Sequence, residues 1–222
     1  MIFSTCNASG WGPARDFIIE LRDQQTELTA VAVQEHRLEA DWAAEATRSL
    51  ATAGIKAAMV PCFRTGAGTM CTSAGVAICT MAGAGLLRGH RASWDLSPPG
   101  CSGRLIMAWV VVPGIGAIAY FSVYMWTGEG LTARNAAILK APLDWVSENR
   151  CLWIAAGDWQ MEPAALQGTL WVQWLAAVIV APSRATCRAT ASGTESTIDW
   201  FLLHRDLAPA VEDVTTMEEA AT

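Results

Sequence analysis

Charged residues are scarce in this chain, and lysine is the scarcest of them. Only 16% of the 222 residues are charged, 52% are hydrophobic, and the net charge is −6. Lysine occurs only at Lys56 and Lys140, so arginine supplies the rest of the 15 basic residues. So apolar a chain buries enough surface to fold, which excludes intrinsic disorder. The acidic balance argues against tight nucleic-acid binding through overall charge, because neutralisation of phosphates supplies most of that affinity.

Cysteine pairs at metal-binding spacing are absent as well. The cysteines are odd in number and none forms a C-x-x-C pair, which argues against a zinc site and against a disulfide framework. The first residues also lack the basic flank and apolar core of a signal peptide. We therefore expect an intracellular, reducing compartment, without a distinction between nucleus and cytoplasm. The cysteines are Cys6, Cys62, Cys71, Cys79, Cys101, Cys151 and Cys187.

One uncharged stretch, residues 105–124, is nearly long enough to span a membrane. It contains Pro113 and Gly114 near its centre, between two segments rich in β-branched residues. Turn residues between such segments are typical of a β-hairpin. We therefore expect two strands joined by a turn, and no stable insertion into a membrane.

The order of apolar and helical patterns indicates a single α/β domain over residues 1–222. Strand patterns outnumber helical ones, and helices separate several of them, so we expect a sandwich of two sheets flanked by helices. Strands are expected at residues 2–6, 29–33, 55–61, 75–80, 104–124 (the hairpin), 151–156, 178–180, 185–189 and 198–203, with a loop at 64–68. Helices are expected from Pro13 through Leu21 and at residues 39–53, 131–149 and 163–174.

Four polar side chains lie at or near the ends of apolar strands, where ligands gather in such sheets. Asn7 follows the first predicted strand, Glu35 the second, and Asp158 the strand at 151–156. Asp199 lies within the last strand, where a carboxylate is unfavourable unless it is paired or bound to a cation. Any one of them is as readily a helix cap or a solvated loop residue, so only the set indicates a site.

Six short segments containing these residues also follow one another in a recognisable order. The first strand ends in Asn, the second in Gln-Glu, a later strand opens with Gly-Arg, and its partner ends in Tyr. Two further strands carry Gly-Asp and Ile-Asp, each followed by an aromatic residue. The segments are Thr5-Cys6-Asn7, Gln34-Glu35, Gly103-Arg104, Val123-Tyr124, Gly157-Asp158-Trp159-Gln160 and Ile198-Asp199-Trp200.

In this order the segments resemble the endonuclease/exonuclease/phosphatase family. The strand at 198–203 and the residues after it look most like the abasic-site and LINE-type retroelement endonuclease branch. The resemblance covers residues 2 to about 214, nearly the whole chain. It implies a four-layer α/β/β/α sandwich and a divalent metal cofactor, Mg2+ or Mn2+.

The resemblance also implies a role for individual residues. Glu35 would hold the metal ion, which polarises a phosphoryl oxygen and neutralises charge in the transition state. Asp158 would orient or deprotonate the attacking water. Asn7 and Tyr124 would donate hydrogen bonds to the phosphate or to the shell of the metal. Asp199 would orient a catalytic histidine.

The chain is rich in tryptophan, with 11 residues of this type. Most lie in apolar runs, where they predict core packing. Trp11 and Trp126 lie beside the predicted site, and aromatic rings there can stack on bases. We expect both to contact the substrate, together with Arg104, whose guanidinium suits a phosphate.

Two substitutions distinguish this sequence from the family pattern. Gln160 stands where the family has Asn, so the catalytic amide is displaced by one methylene, and misplacement on this scale lowers rates. Ser9 stands near a position where some members carry an Asp close to the metal, while other members lack it.

A third departure concerns the end of the family pattern, a Ser-Asp-His segment on a last strand. The chain ends without it, so we expect the catalytic His, a metal-ligating Asp and the last strand to be absent, and the sheet edge beside that strand to be exposed. We expect the natural protein to continue further. None of His36, His90 and His204 matches the missing histidine, and we interpret each as an ordinary histidine.

The sequence therefore predicts a domain for metal-dependent hydrolysis of phosphodiesters in DNA or RNA, with activity impaired by the missing histidine. Two alternatives stay open. One is a non-catalytic remnant of a retroelement that keeps the fold and binds a partner. The other is a phosphatase of inositol phosphates or lipids. The oligomeric state is not predicted.

Overall fold

Two β-sheets pack face to face in the computed structural model, which describes residues 1–25, 27–63, 74–87, 94–188 and 192–217. Buried side chains from both sheets meet between them, among them Val76, Ile78, Ile106 and Tyr120. The expected sandwich of two sheets is confirmed. The predicted loop at 64–68, Cys71 and His90 lie outside the described residues.

The first sheet contains the strands β1 (Ile2–Asn7), β2 (Leu28–Gln34), β3 (Lys56–Val60) and β4 (Val76–Thr80). Their order is β1-β2-β4-β3, with β1 parallel to β2 and the other pairs antiparallel. All seven residues of β2 are buried, as expected of a strand covered on both faces.

The second sheet contains β5 (Gly85–Leu87), β6 (Leu105–Val112), β7 (Gly116–Tyr124), β8 (Trp153–Asp158), β9 (Ala177–Val180) and β12 (Asp199–His204). Their order is β5-β6-β7-β8-β12-β9, and only β7 and β8 are parallel. The short strands β10 (Cys187–Arg188) and β11 (Glu195–Ser196) pair with each other before β12 begins.

Helices cover the outer faces of both sheets. On the first sheet, α1 (Trp11–Gln24) and α2 (Ala40–Thr52) bury Ile18 and Leu50 against residues of β2. On the second, α3 (Ala133–Asn149), α4 (Pro163–Gln167) and α5 (Leu170–Trp174) pack on the outer residues of β7 and β8. A 3-10 helix, Arg205–Ala210, follows β12. The expected four-layer α/β/β/α order is confirmed.

The predicted hairpin is also confirmed. β6 and β7 pair antiparallel, from Leu105 opposite Val123 to Val112 opposite Gly116. Among the described residues, no helix has the length and apolar character needed to cross a membrane.

Other predicted boundaries were wrong, each for a local reason. The single helix expected at 163–174 is divided at Gly168, and the hydroxyl of Thr169 accepts a hydrogen bond of 3.3 Å from the backbone N–H of Trp171, which starts a new helix. β8 continues past residue 156 to Asp158. The strand expected at 185–189 comprises Cys187–Arg188 in the described part, and β5 and β11 are too short to leave a periodic pattern.

A groove of about 610 Å³ runs along β1, which is an edge strand of the first sheet. Ser4 and Asn7 of β1 line it, together with Asp199 and Phe201 of β12 and with Thr215. An edge strand presents backbone groups that have no partner strand. The groove is therefore lined both by the edge strand of the first sheet and by β12 of the second.

Candidate active site

The ends of strands from both sheets converge at one edge of the sandwich. Asn7, Tyr124 and Asp158 end β1, β7 and β8, and Asp199 begins the antiparallel β12. Asp158 lies between β7 and β12, since it pairs in register with Tyr124 on one side and with Asp199 on the other. The Asn7 side chain donates a hydrogen bond from Nδ2 to Oδ2 of Asp158 at 2.6 Å. One hydrogen bond thus joins the two sheets at the candidate site.

Asp158 is fully buried and accepts several hydrogen bonds. Besides that of Asn7, it receives one from the backbone N–H of Gln160 at 3.0 Å and one from the Gln160 side chain at 2.5 Å. The pKa of Asp158 is raised to about 6, mainly by burial; the hydrogen bonds from Asn7 and Gln160 oppose the rise, and the charge of Glu35 adds a smaller increase. A carboxylate with a pKa this close to neutrality suits a general base.

Two glycines allow close backbone approaches directly before two of the predicted site residues. A Cβ on Gly157 would lie 2.0 Å from the carbonyl oxygen of Val123 on β7. A Cβ on Gly103, which has a φ of 72°, would lie 2.8 Å from the carbonyl oxygen of Pro61. Glycine is therefore required before Asp158 and before Arg104.

Asp199 is a second desolvated carboxylate, directly across the strand pair from Asp158. Its Oδ1 atom is buried and has no hydrogen-bond partner in the part of the chain that the structure describes. Burial raises the pKa of Asp199 to about 7, the charge of Asp158 adds to the rise, and a hydrogen bond with Thr186 opposes it. Thr186 also accepts hydrogen bonds from the backbone N–H groups of Ile198 and Asp199, both at 3.0 Å, and so positions the start of β12.

The residues that follow the two aspartates stack on each other. The rings of Trp159 and Trp200 are nearly parallel, with centroids 4.3 Å apart. The indole N–H of Trp159 donates to the carbonyl of Trp200 at 2.8 Å, and that of Trp200 donates to the carbonyl of Met161 at 3.1 Å. Both rings are buried. This pair therefore fixes the backbone beside both carboxylates from the side of the core.

Glu35 follows β2 directly, with a left-handed backbone at φ 59°. Its side chain is 11% exposed, and Oε1 accepts a hydrogen bond from the Arg37 guanidinium at 2.6 Å. Burial raises the pKa of Tyr124, the Glu35 carboxylate raises it further, and Arg104 opposes the rise. Tyr124 therefore remains protonated at physiological pH, and its hydroxyl makes a hydrogen bond with the Glu35 side chain.

Arg104 connects Tyr124 to Trp126. The guanidinium carbon of Arg104 lies 3.6 Å from the ring centroid of Trp126 and 4.5 Å from that of Tyr124. Arg104 also donates to the carbonyl oxygen of Met125 at 3.0 Å, and burial lowers its pKa while Tyr124 opposes that change. The guanidinium carbon of Arg134 lies 4.2 Å from the same Trp126 ring. Trp126 thus carries two cation–π contacts beside the candidate site.

Sequence comparison identifies no relative, since no protein-family model and no curated protein matches the chain. Solved structures do match it. The endonuclease domain of TRAS1, a telomere-specific non-LTR retrotransposon, is 12% identical with a TM-score of 0.67, over 98% of this chain and 91% of that one. The AP endonuclease LMAP from Leishmania major is 18% identical with a TM-score of 0.68, over 98% and 83%. An endonuclease/exonuclease/phosphatase from Beutenbergia cavernae is 17% identical with a TM-score of 0.55, over 91% and 63%.

The chain has the endonuclease/exonuclease/phosphatase fold. The expected fold resemblance is confirmed. Identities this low establish the shared architecture alone, so what the site does is argued from its own residues.

Within the endonuclease/exonuclease/phosphatase fold, most predicted site residues lie together. Arg104 and Trp126 join this cluster through Tyr124. Trp11 begins α1 and packs on the apolar cluster beneath that helix, and in the described ranges it has no hydrogen bond or ring contact with the other predicted residues. The roles implied for all nine predicted site residues, including Arg104, Trp11 and Trp126, stay predictions. The members that form the cluster are Asn7, Glu35, Tyr124, Asp158, Gln160 and Asp199.

The sequence reasoning missed several residues that hold this cluster. Gln34 donates from Nε2 to the hydroxyl of Ser122 at 2.9 Å, and Ser122 donates to the carbonyl of Val33 at 3.0 Å, which links the two sheets beneath the site. A buried amide in an otherwise apolar strand was the available signal, because such a group needs a partner. Arg37 and Thr186 left no comparable signal.

The described histidines do not adjoin the two aspartates. His36 is fully buried and bonded to backbone groups, and burial lowers its pKa to about 4. His204 ends β12, where its Nδ1 accepts a hydrogen bond of 3.3 Å from the backbone N–H of Asp206. His90 lies outside the described residues.

The donor atoms at the site fit a hard divalent cation. Glu35, Asn7 and Asp158 offer carboxylate and amide oxygens, and Mg2+ is held in many enzymes by one or two carboxylates with water and substrate phosphate completing the shell. Among the described residues, no group of three or more His, Cys, Asp or Glu side chains forms a metal-binding cluster. The residues present therefore fit a magnesium-type site with few protein ligands better than a zinc-type cage.

Proposed function

We propose that this chain hydrolyses phosphodiester bonds of a nucleic acid with the help of Mg2+ or Mn2+. The observation that carries the proposal is the state of Asp158, a fully buried carboxylate with a pKa raised to about 6 that is held by Asn7 from the opposite sheet. Such a group is largely ionised at pH 7.5 yet basic enough to accept a proton from water.

The surrounding residues support this chemistry with distinct contributions. Asn7 and Gln160 orient the Asp158 carboxylate through three hydrogen bonds. Tyr124, which burial keeps protonated, would donate a hydrogen bond to a phosphate oxygen when the substrate is bound. Glu35, with oxygen atoms of Asn7 and Asp158 nearby in the cluster, would hold the cation, which when bound neutralises charge that develops on the phosphate.

The proposed substrate class is supported by the basic residues of the site and by the structural neighbours. Arg37 and Arg134 place partly exposed guanidinium groups beside Glu35 and Trp126, although the chain as a whole is acidic. Such groups suit phosphate oxygens. Two of the neighbours are named as endonucleases, one of a retrotransposon and one acting at AP sites.

One observation favours a second candidate function, a domain that binds nucleic acid without cutting it. The Oδ1 atom of Asp199 is buried without a partner in the described ranges, where the implied role would give it a histidine to orient. A phosphate-binding site without this orienting contact would retain affinity for the substrate but would lose most of the rate of phosphodiester cleavage.

The test is Mg2+-dependent cleavage of supercoiled plasmid and of a duplex with one abasic site. We expect the unmutated chain to cleave DNA. We expect Glu35→Gln and Asp158→Asn to lower the cleavage rate about 100-fold or more. Glu45→Gln and Asp144→Asn change exposed acids on α2 and α3 and serve as matched controls.

Other outcomes assign the alternatives. DNA binding that requires the site residues, without cleavage, would support the non-catalytic domain. Phosphate release from inositol phosphates with no cleavage of DNA or RNA would support the phosphatase. Cleavage that persists in Asp158→Asn would overturn the role given to this carboxylate.

A further inference from the structure

The turn after β2 places two residues in the left-handed region within three positions. Glu35 has a φ of 59° and Arg37 a φ of 56°. Residues other than glycine adopt this conformation rarely, and Glu and Arg lack the short side chain that lets Asn adopt it. Neither residue would hold this backbone on its own, so surrounding contacts must impose the path that carries the Glu35 carboxylate.

The ring of His36, between these two residues, makes the contacts that close the turn. Its Nδ1 accepts a hydrogen bond of 3.1 Å from the backbone N–H of Leu38. The ring proton must therefore reside on Nε2, which donates to the carbonyl oxygen of Val60 at 3.1 Å. His36 is 0% exposed. One neutral imidazole thus closes the turn locally and ties it to the end of β3.

The backbone around the ring is fitted to it. The N–H groups of His36 and Arg37 donate to the carbonyls of Gly75 and Ala74, both at 3.2 Å. A Cβ on Gly75 would lie 2.7 Å from Cε1 of the His36 ring. The ring is therefore enclosed by the turn, by the end of β3 and by the residues that precede β4, and it cannot shift without moving Glu35.

We propose that His36 is a positioning residue that fixes the Glu35 carboxylate for the divalent cation. This inference rests on the proposed function in one respect, that Glu35 is a ligand of the cation. His36 itself does not touch the cation or the phosphate. It acts through the turn. The contact that matters most is the hydrogen bond that Nδ1 accepts from the Leu38 N–H, because this bond lies within the turn itself.

Two substitutions separate the two ring contacts. His36→Asn places an amide oxygen near the position of Nδ1 and retains the acceptor for the Leu38 N–H. His36→Gln places an amide nitrogen near the position of Nε2 and retains the donor to Val60. Both remove ring volume, so a role in packing alone predicts similar losses for the two variants. Positioning predicts that they differ.

The measurement is Mn2+ affinity by calorimetry, without substrate, beside the melting temperature of each variant. We expect His36→Gln to raise the Kd for Mn2+ about 10- to 100-fold, the range observed when outer-shell partners of metal ligands are removed. We expect His36→Asn to stay within about 3-fold of the natural sequence. The matched control is His204→Gln, which removes the same type of Nδ1 contact to the second following residue and should leave the Kd unchanged.

The outcomes separate this inference from the proposed function. If the natural chain and Glu35→Gln bind Mn2+ equally or not at all, the metal role of Glu35 fails and the inference fails with it. If Glu35→Gln abolishes binding but His36→Gln binds as tightly as the natural chain while folded, only the inference is overturned. Equal losses of affinity in the Asn and Gln variants would also overturn it, since packing would then explain both.

Discussion

The side-chain amide of Asn7 donates a hydrogen bond of 2.6 Å to the carboxylate of Asp158, although 151 positions of sequence separate the two residues. This contact orients the proposed base and also lowers its pKa against the effect of burial. Asn7 is the donor from the opposite sheet, and Gln160 supplies the other two hydrogen bonds.

We expect Asn7→Ala to lower kcat for Mg2+-dependent cleavage about 100-fold, as for the loss of one donor at a preorganised site. The pKa of Asp158 should rise without this bond, so the acidic limb of the pH–rate profile should move to higher pH. Asn149→Ala, which removes a donor to a backbone carbonyl in α3, is the matched control. An unshifted acidic limb would show that Asp158 does not set it.

Asp199→Asn should stabilise the protein, and more so at high pH. Because the folded state raises the pKa of Asp199 from 3.8 to about 7, folding favours its protonated form, so the ionisation of Asp199 lowers stability progressively from about pH 4 to about pH 7 and adds no further loss above that. We expect the gain in the free energy of unfolding to be larger at pH 8 than at pH 5 by about 2–3 kcal/mol, measured by urea titration at each pH. A gain that is equal at both pH values would contradict the raised pKa.

Gln160 has a left-handed backbone, with φ 52°, at the position where the family pattern has Asn. Asn tolerates this conformation better than Gln does. Gln160→Asn should therefore raise the free energy of unfolding by about 0.5–1 kcal/mol. Gln160→Ala, which removes the amide and keeps the backbone cost, should not. Chemical denaturation of the three proteins measures this difference, and equal stability of the Asn and Ala variants would contradict it.

Gly157→Ala should be strongly destabilising, because the added methyl group would meet the carbonyl of Val123 at 2.0 Å and must separate β7 from β8. We expect a loss of about 3 kcal/mol or more, with thermal unfolding as the measurement. Gly168→Ala is the control, since its nearest neighbour would be a carbonyl oxygen at 3.8 Å. If both variants unfold at the same temperature, the close approach at Gly157 does not constrain the strands.

The parts of the molecule that could be predicted from sequence carry their signal locally. The strand around Val31 and the hairpin around Pro113 are continuous apolar runs bounded by turn residues, and they were found. The acids at strand ends were found because a charge beside a buried apolar run is unfavourable unless it is paired or bound. Family resemblance then connected residues that periodicity could not.

The remaining features depend on contacts between distant segments. Thr186 positions Asp199 through backbone N–H groups 12 and 13 residues away, and nothing in its own neighbourhood marks it. His36 was interpreted as an ordinary histidine, because it does not match the position of the missing histidine and nothing beside it in the sequence marks it. Its contacts lie with Val60 and Gly75, which no local pattern reveals.

The spread of the candidate site over the chain has a consequence for the order of folding. Asn7 is near the beginning and Asp199 is close to the end, so contacts of very different sequence separation must form before the two carboxylates are arranged. Such long-range contacts form late, after much loop entropy has been lost. During synthesis, the growing chain would therefore complete its first sheet well before the two carboxylates of the candidate site were brought together.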